Sequence, residues 1–300
     1  MTVTWSFLIA GPLIGFSVGV LTGFFGAGGG FIITPVLNIC LGLEMNIAVG
    51  TSACQVLGAS SFSLLHHRDR RLMGIKVALC TGAGIPLGAF AGARLVKVLK
   101  GLAPWQLNGV TIDPVNMLLL SVFAVFLLLV GAWMAFDNFV RCRHRPDDDQ
   151  RHVGILASWH VPPMIRFRTV PGGPVSLPLL VLMGVLMGFL SGLLGIGGGV
   201  IMLPALFYLV GQETKYATRS DMMLVFVSGL FSTAFHALDR NIHYPLALAL
   251  MAGAFFGTRV GASLQQRVQG KSIRQYFCFV VLAAWALVMV KLLATLFPRM

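Results

Sequence analysis

The stretch GFFGAGGGFIITP, residues 23–35, decides how this chain is read. It carries five glycines, yet SFLIAGPLIGFSVGVLT precedes it and VLNICLGL follows it, both apolar. Glycine inside a helix costs about 1 kcal/mol relative to alanine, so the cluster marks a break in an apolar segment. A phosphate loop of the Walker type needs Lys and Ser or Thr after its last glycine; Phe31, Ile32 and Ile33 stand there instead. A dinucleotide fingerprint needs a strand before it and a βαβ unit around it. The run before Gly23 is glycine-spaced and apolar, which suits a membrane segment better than a strand.

Composition supplies the medium. The 300 residues are 57% hydrophobic and 11% charged, with mean hydropathy +0.85, whereas soluble domains carry about 25% charged residues. Uncharged runs such as Pro114–Phe136 and Tyr276–Val290 approach or exceed the ~20 residues that cross a bilayer as a helix. The N-terminus has no basic residue before its apolar run and no evident small-residue cleavage site, so it is expected to stay in the mature protein. The net charge of +12 sits in short loops between apolar runs, as orientation in a membrane requires, and does not call for nucleic acid. Five scattered cysteines have neither metal spacing nor a disulfide framework. No cofactor and no metal site are expected.

The opening motif returns. GFLSGLLGIGGGVIMLP begins at Gly188, with its glycines 169 residues after those of GVLTGFFGAGGGFIITP. The offset holds without a gap from Gly15 to Leu95, with about a third of the positions identical. Each half reads as four apolar blocks: 5–42, 47–65, 76–97 and 114–136, then 176–210, 217–237, 244–264 and 275–297. The first block of each half is too long for one crossing of a ~30 Å core, and the glycines sit where it must fold back. The predicted fold is an all-α integral membrane protein of two inverted repeats. Each repeat is a glycine-broken helical hairpin followed by three transmembrane helices. The organisation is a first repeat over 1–138, a cytoplasmic linker over 139–175 and a second repeat over 176–300.

Charge tests the fold-back. Of 22 Lys and Arg, folding back leaves six (Arg94, Lys97, Lys100, Arg240, Lys291, Arg299) on one side. Fifteen share the linker's side, and Arg219 is set aside as membrane-embedded. A single crossing per first block would divide them 13 to 8. The positive-inside rule favours the hairpin, with the linker in the cytoplasm and both termini outside. The linker run RCRHRPDDDQRH reads as a solvated segment, with an interfacial patch of Trp159, Met164, Ile165 and Phe167.

The combination GxGGGxxxxP, NIAVGTSACQ, the repeat GIGGGVIMLP and then YATRSDMM resembles the TauE/SafE sulfite exporter family, also called the TSUP or 4-toluene sulfonate uptake permease family. The resemblance covers nearly the whole chain. It implies a multi-pass transporter of small sulfur-containing anions, such as sulfite, thiosulfate, sulfoacetate and other organosulfonates, in a bacterial-type inner membrane. Export is its commoner implication. In the second half Arg219-Ser220-Asp221 stands where the first has Gly50-Thr51-Ser52, an asymmetry expected to tune the substrate.

A helix broken inside the membrane leaves amides free at the start of its second arm, where partial positive charge favours an anion. Two such breaks at a repeat interface are an architecture of secondary transporters. Gly28, Gly29, Gly30, Gly197, Gly198 and Gly199 are therefore the first substrate-binding candidates. Thr51, Ser52 and Gln55, which share one helical turn at the start of the helix after the first elbow, and Arg219 and Ser220 in the helix after the second, are the next. Asp221 is read as a proton carrier or as a helix N-cap, and Arg219 as an anion ligand or an interfacial snorkelling residue. In the stripes Ser63/His67/Arg71 and Ser232/His236/Arg240, His67 and His236 are proton-coupling candidates or interfacial, hydrogen-bonded histidines. The ladder Gly11/Gly15/Gly19/Gly23 is read as tight helix packing. No nucleotide motif exists, so an ion gradient is expected to drive alternating access. Three rivals stand beside this reading: an anion channel for the same substrates, a thiosulfate or sulfonate uptake permease, and an intramembrane enzyme using Cys54 with a histidine. An enzyme is not expected. The partners expected are a small sulfur anion and the bilayer, with a homodimer left open.

Overall fold

The computed structural model of the chain describes residues 5–66, 74–101, 105–107, 110–112, 114–136, 161–167, 169–170, 173–268 and 270–296. His67, Arg71, the mixed-charge run of the linker and Trp159 lie outside the described residues. Backbone facing lipid must satisfy its N–H and C=O groups internally, and the apolar blocks accordingly form helices.

The first block is α1 (Trp5–Phe25) and α2 (Gly30–Cys40), joined at the glycine cluster. Next come α3 (Met45–His66), α4 (Ile75–Gly82), α5 (Ile85–Leu99) and α6 (Pro114–Phe136). In the second half α7 (Leu177–Leu194) leads through its glycines to α8 (Gly199–Pro204), continued by a π-helical turn over Ala205–Val210. α9 (Thr214–Leu238), α10 (Tyr244–Gln266) and α11 (Gly270–Leu296) complete it. Among the described residues, six of these helices are long and apolar enough to cross a membrane, and the bent pair α4–α5 makes a seventh. Sheet among the described residues is confined to two small antiparallel ribbons, Trp105–Leu107 with Val110–Ile112 and Met164–Arg166 with Pro174–Ser176.

Both first blocks break where expected and the first folds back. Val18 of α1 shares a buried cluster with Ile33 and Leu37 of α2, and Ile14, Leu41 and Leu43 pack against it. The 11 residues of α2 span only about 16 Å, half of a ~30 Å core, so the second arm is a half-helix.

The sequence reading of 76–97 as one rod needs correction. The pair α4–α5 bends by 43° at Ala83-Gly84. Pro86 cannot donate to the carbonyl four residues earlier, and its ring crowds that carbonyl. That residue is Gly82, where α4 ends. The position matching Pro86 in the second half is Phe255, and α10 runs unbroken.

Glycine ladders lock the two halves together. A methyl on Gly15, Gly19 or Gly23 of α1 would sit 2.0, 2.7 and 2.3 Å from backbone atoms of Leu250, Ala254 and Thr258 of α10. On α7, Gly184, Gly188 and Gly192 meet the carbonyls of Thr81, Ile85 and Ala89 in the same way, at 1.8, 2.2 and 2.4 Å. Only small residues let backbones approach so closely. Both registers advance together, so α1 runs parallel to α10, and α7 to α4–α5. By contrast α3 and α9 are antiparallel: Leu57 meets Gly229 while Ser63 meets Met222.

The described end of the linker is docked as well. Phe167, Val170 and Val175 are buried, Leu177 N–H donates to Pro163 O, and Gln212 Nε2 donates to Thr169 Oγ1 at 3.0 Å. Phe167, expected in an interfacial patch, belongs to the core.

Candidate anion site at the crossed elbows

The two breaks share one backbone design. Gly28 and Gly29 have φ of 75° and 65°, and Gly197 and Gly198 have φ of 73° and 75°. A side chain there would carry the left-handed penalty of roughly 1–2 kcal/mol per residue. Gly29 and Gly198 cap the half-helices without any side-chain bond. The first bonds inside each half-helix run from Ile32 and Ile33 N–H to Gly29 O, and from Ile201 and Met202 N–H to Gly198 O. The amides of Gly30 and Phe31, and of Gly199 and Val200, therefore precede the first bonded turn, at the positive end of each helix dipole.

These elbows meet each other. A methyl on Gly30 would lie 2.6 Å from Gly195 O and 2.8 Å from Ile196 C, and one on Gly199 would lie 2.5 Å from Ala27 O. Val56 of α3 and Val225 of α9, related by the same 169-residue offset, close over Gly28 and Gly197. Every residue from Thr22 to Gly30 and from Ser191 to Gly199 is buried.

Ser52 joins both elbows: its Oγ lies 3.0 Å from Gly195 O and 3.4 Å from Gly30 O. Two further hydroxyls, which the sequence reading does not single out, also bond elbow carbonyls. Thr34 donates to Leu194 O at 3.1 Å. Ser228 donates to Gly197 O at 2.5 Å and lies 3.3 Å from Ser191 Oγ. A hydroxyl seven residues after Asp221 on one helical stripe is the only hint of Ser228 in the sequence.

The remaining candidates are spread along α3 and α9, in the second or later turns of these helices. Thr51 turns away from the elbow, and its Oγ1 accepts from His243 N–H at 3.0 Å. Gln55 is fully buried, and neither amide atom has a hydrogen-bond partner among the described residues. It shares a face with Thr51 and Gly58, both of which touch the segment His243–Met251. Ser220 donates to Tyr216 O at 2.9 Å and faces Gly74. It thus lies at the opposite end of the molecule from Thr51, its repeat partner. Arg219 is buried, at 8% exposure. Asp221 is fully buried, and neither carboxylate oxygen has a hydrogen-bond partner among the described residues. It lies inside α9, and the N-cap of that helix is Glu213.

His236 is buried with both ring nitrogens engaged. Its Nε2 lies 2.8 Å from Gly192 O, which fixes a proton there, and its Nδ1 accepts from Asn241 Nδ2 at 3.4 Å. Asn241 Oδ1 in turn accepts from Lys100. Nearby, Lys97 pairs with Asp239 at 2.6 Å. These contacts put the α5 end and the α9–α10 turn on one face of the molecule, as the fold-back requires and a single crossing would forbid. Among the described residues no group of three His, Cys, Asp or Glu could hold a metal ion.

The architecture defines a class: a multi-pass α-helical membrane protein built around two crossed, glycine-capped half-helices. Residues 10–289 match the family model described as Sulfite exporter TauE/SafE, and the chain belongs to that family of membrane transporters. It is 25% identical over 274 residues to the probable membrane transporter protein YunE of Bacillus subtilis, covering 87% of this chain and 89% of that one. A probable membrane transporter protein of Xylella fastidiosa is 27% identical, with 92% and 94% covered. MJ0441 of Methanocaldococcus jannaschii, also named a probable membrane transporter protein, is 25% identical, with 90% and 92% covered. No solved structure matches the chain.

Proposed function

We propose that the chain is a secondary transporter of small sulfur-containing anions such as sulfite, sulfoacetate or other organosulfonates, working mainly as an exporter in a bacterial-type inner membrane. The observation that carries this reading is the contact of two half-helix N-termini, from sequence-related elbows, deep in the protein. A sulfonate or sulfite offers three acceptor oxygens. Backbone amides, hydroxyls and arginine are the groups that suit them. Gly28–Gly30, Gly197–Gly199 and Ser52 form the centre of the site in this proposal, with Thr51, Gln55, Arg219 and Ser220 along the path to it.

The two halves, 1–138 and 176–300, are inverted copies in this reading. The helix registers support it: α1 parallels α10, α3 parallels α10 through Thr51–His243 and Gly58–Met251, and α3 opposes α9. The elbows are buried and in contact, which in this reading is the occluded state of the cycle. Access alternates as one bundle moves against the other, with the energy drawn from an ion gradient. The linker lies in the cytoplasm and both termini lie outside, in accord with the charge division.

Purified protein in proteoliposomes tests the proposal against sulfite, thiosulfate, sulfoacetate, isethionate and sulfate. Saturable flux that responds to an imposed ion gradient is expected. Flux indifferent to ΔpH and to Na⁺, with single-channel currents, would replace the transporter by a channel. Chemical change of the substrate would replace it by an enzyme.

A further inference from the structure

We propose that Asp221 is the proton carrier of this transporter, taking up one proton with each anion that enters the elbows and releasing it with that anion on the other side. The inference rests on the transport reading above and adds its coupling ion.

Position comes first. Thr218 O and Met222 Cγ would lie 2.8 and 3.1 Å from a methyl on Gly26, and Val225 Cγ1 2.6 Å from one on Gly28. These residues form the stripe of α9 that lies on the first elbow. Asp221, three residues after Thr218 and four before Val225, belongs to the same face. It is fully buried and neither oxygen has a hydrogen-bond partner among the described residues.

Repeat logic gives the chemistry. The residue 169 positions earlier is Ser52, whose hydroxyl donates to elbow carbonyls. A carboxylic acid holding its proton can donate in the same way. An ionised carboxylate only accepts, so it repels carbonyls and leaves a charge in the membrane interior without compensation. The proton state of Asp221 therefore decides how α9 can sit on the elbow.

Other charges do not take over this role. Ionisable groups on the elements packed against α9 include Cys54 on α3, Lys76 and Cys80 on α4, Tyr208 on the π turn, and Arg274 and Cys278 on α11. On α5, Lys97 pairs with Asp239 at the far end of α9. On α9 itself Arg219 stands two residues earlier, on a different face. None of them forms a hydrogen bond or ion pair with Asp221 among the described residues.

An anion at the elbows and an ionised Asp221 repel, so a bound anion favours the protonated carboxyl and the protonated carboxyl favours a bound anion. Proton and anion then bind together and cross together, and a monoanion crosses without net charge. An outward anion gradient carries both out; an outside-acid gradient carries both in.

The test uses the full chain in proteoliposomes holding a trapped pH dye, with thiosulfate and isethionate as probes because neither titrates near neutrality. Wild type should move protons with the probe. Asp221→Asn and Asp221→Ser, the second restoring the residue of the first repeat, should retain anion exchange. Their proton signal should fall by about tenfold or more, within the usual range of coupling between sites. Variants that move protons with the probe as wild type does would overturn the assignment. So would wild-type flux without a proton signal, or loss of exchange in both variants when they remain monodisperse. Those results leave the transport reading standing, whereas absence of flux for every anion tried overturns both.

Discussion

Adding one methyl at Gly199 tests whether the elbows meet as described. Gly199 has no left-handed backbone conformation, so alanine there introduces no φ strain. Its Cβ would lie 2.5 Å from Ala27 O, 2.6 Å from Ala27 C and 2.6 Å from Ala27 Cα. All three are backbone atoms, so no rotamer change relieves the clash. Reaching ordinary contact requires the elbows to part by about 0.9 Å, and overpacking of a tight interior typically costs about 1–3 kcal/mol. Gly30→Ala meets Gly195 O at 2.6 Å from the other side. Each single variant should lower the thermal midpoint in detergent by several degrees and cut anion flux steeply. The double variant should cost less than the sum, because one separation serves both methyls; the expected coupling is about 0.5–3 kcal/mol. Gly42→Ala is the control. Gly42 is left-handed at φ 64° with nothing within 4 Å of the added carbon, so it carries only backbone strain of roughly 1–2 kcal/mol and should keep its flux. Additive effects of Gly30→Ala and Gly199→Ala, or wild-type flux and midpoint in either, would refute the crossing.

Further substitutions separate the site from its scaffold. Ser52→Ala removes the hydroxyl shared by Gly195 O and Gly30 O and should cost about 1–3 kcal/mol together with most of the flux. Thr51→Val, which removes the acceptor of His243 N–H, should lower the midpoint and cut flux less than Ser52→Ala; the reverse ranking would move the site. Arg219→Ala should weaken anion binding, read by isothermal titration with thiosulfate, more than Arg240→Ala. Arg219 is 8% exposed whereas Arg240 lies at the surface. His236→Ala strands Gly192 O and Asn241 and should destabilise the protein by about 1–3 kcal/mol without altering the pH profile of residual flux. A changed profile would return His236 to the coupling machinery.

Much of the fold was legible because lipid leaves the backbone few choices. Apolar blocks had to become helices, and 114–136 and 244–264 fall on α6 and α10 almost to the residue. The glycine cluster had to break its block because three of its residues adopt left-handed backbone. The ladder at Gly15, Gly19 and Gly23 also announced close packing, though not its partner: α10 comes from the other half, and no local pattern encodes that pairing. The bend at Ala83-Gly84 is written in Pro86 but easily missed, since a long apolar run with matching ends reads as one rod. Side-chain direction was the least legible part. Thr51 and Ser52 are adjacent in sequence, yet one bonds to the α9–α10 turn and the other to both elbows. Only the tertiary packing of α3 settles which of two neighbouring hydroxyls faces the site.

Duplication explains why the departures from symmetry are informative. Where the halves agree, at Gly28 with Gly197, Gly30 with Gly199 and Val56 with Val225, the residues close the crossing from equivalent directions, and the geometry demands them twice. Where they differ, one copy is released from that demand. Gly50 lies against Asn241 O, which leaves no room for a side chain. Its counterpart in the other half is Arg219, the largest cationic side chain, buried at 8% exposure. Ser52 donates to carbonyls, while its counterpart Asp221 has a carboxyl that can do so only when protonated. A perfectly symmetric protein would present the same chemistry to both sides of the membrane. Arg219 and Asp221 stand in one half alone, so the two ends of the bundle differ in electrostatics; under the proposed symport that difference shapes how each end receives the anion and its proton, while the gradients themselves set the direction of net flux.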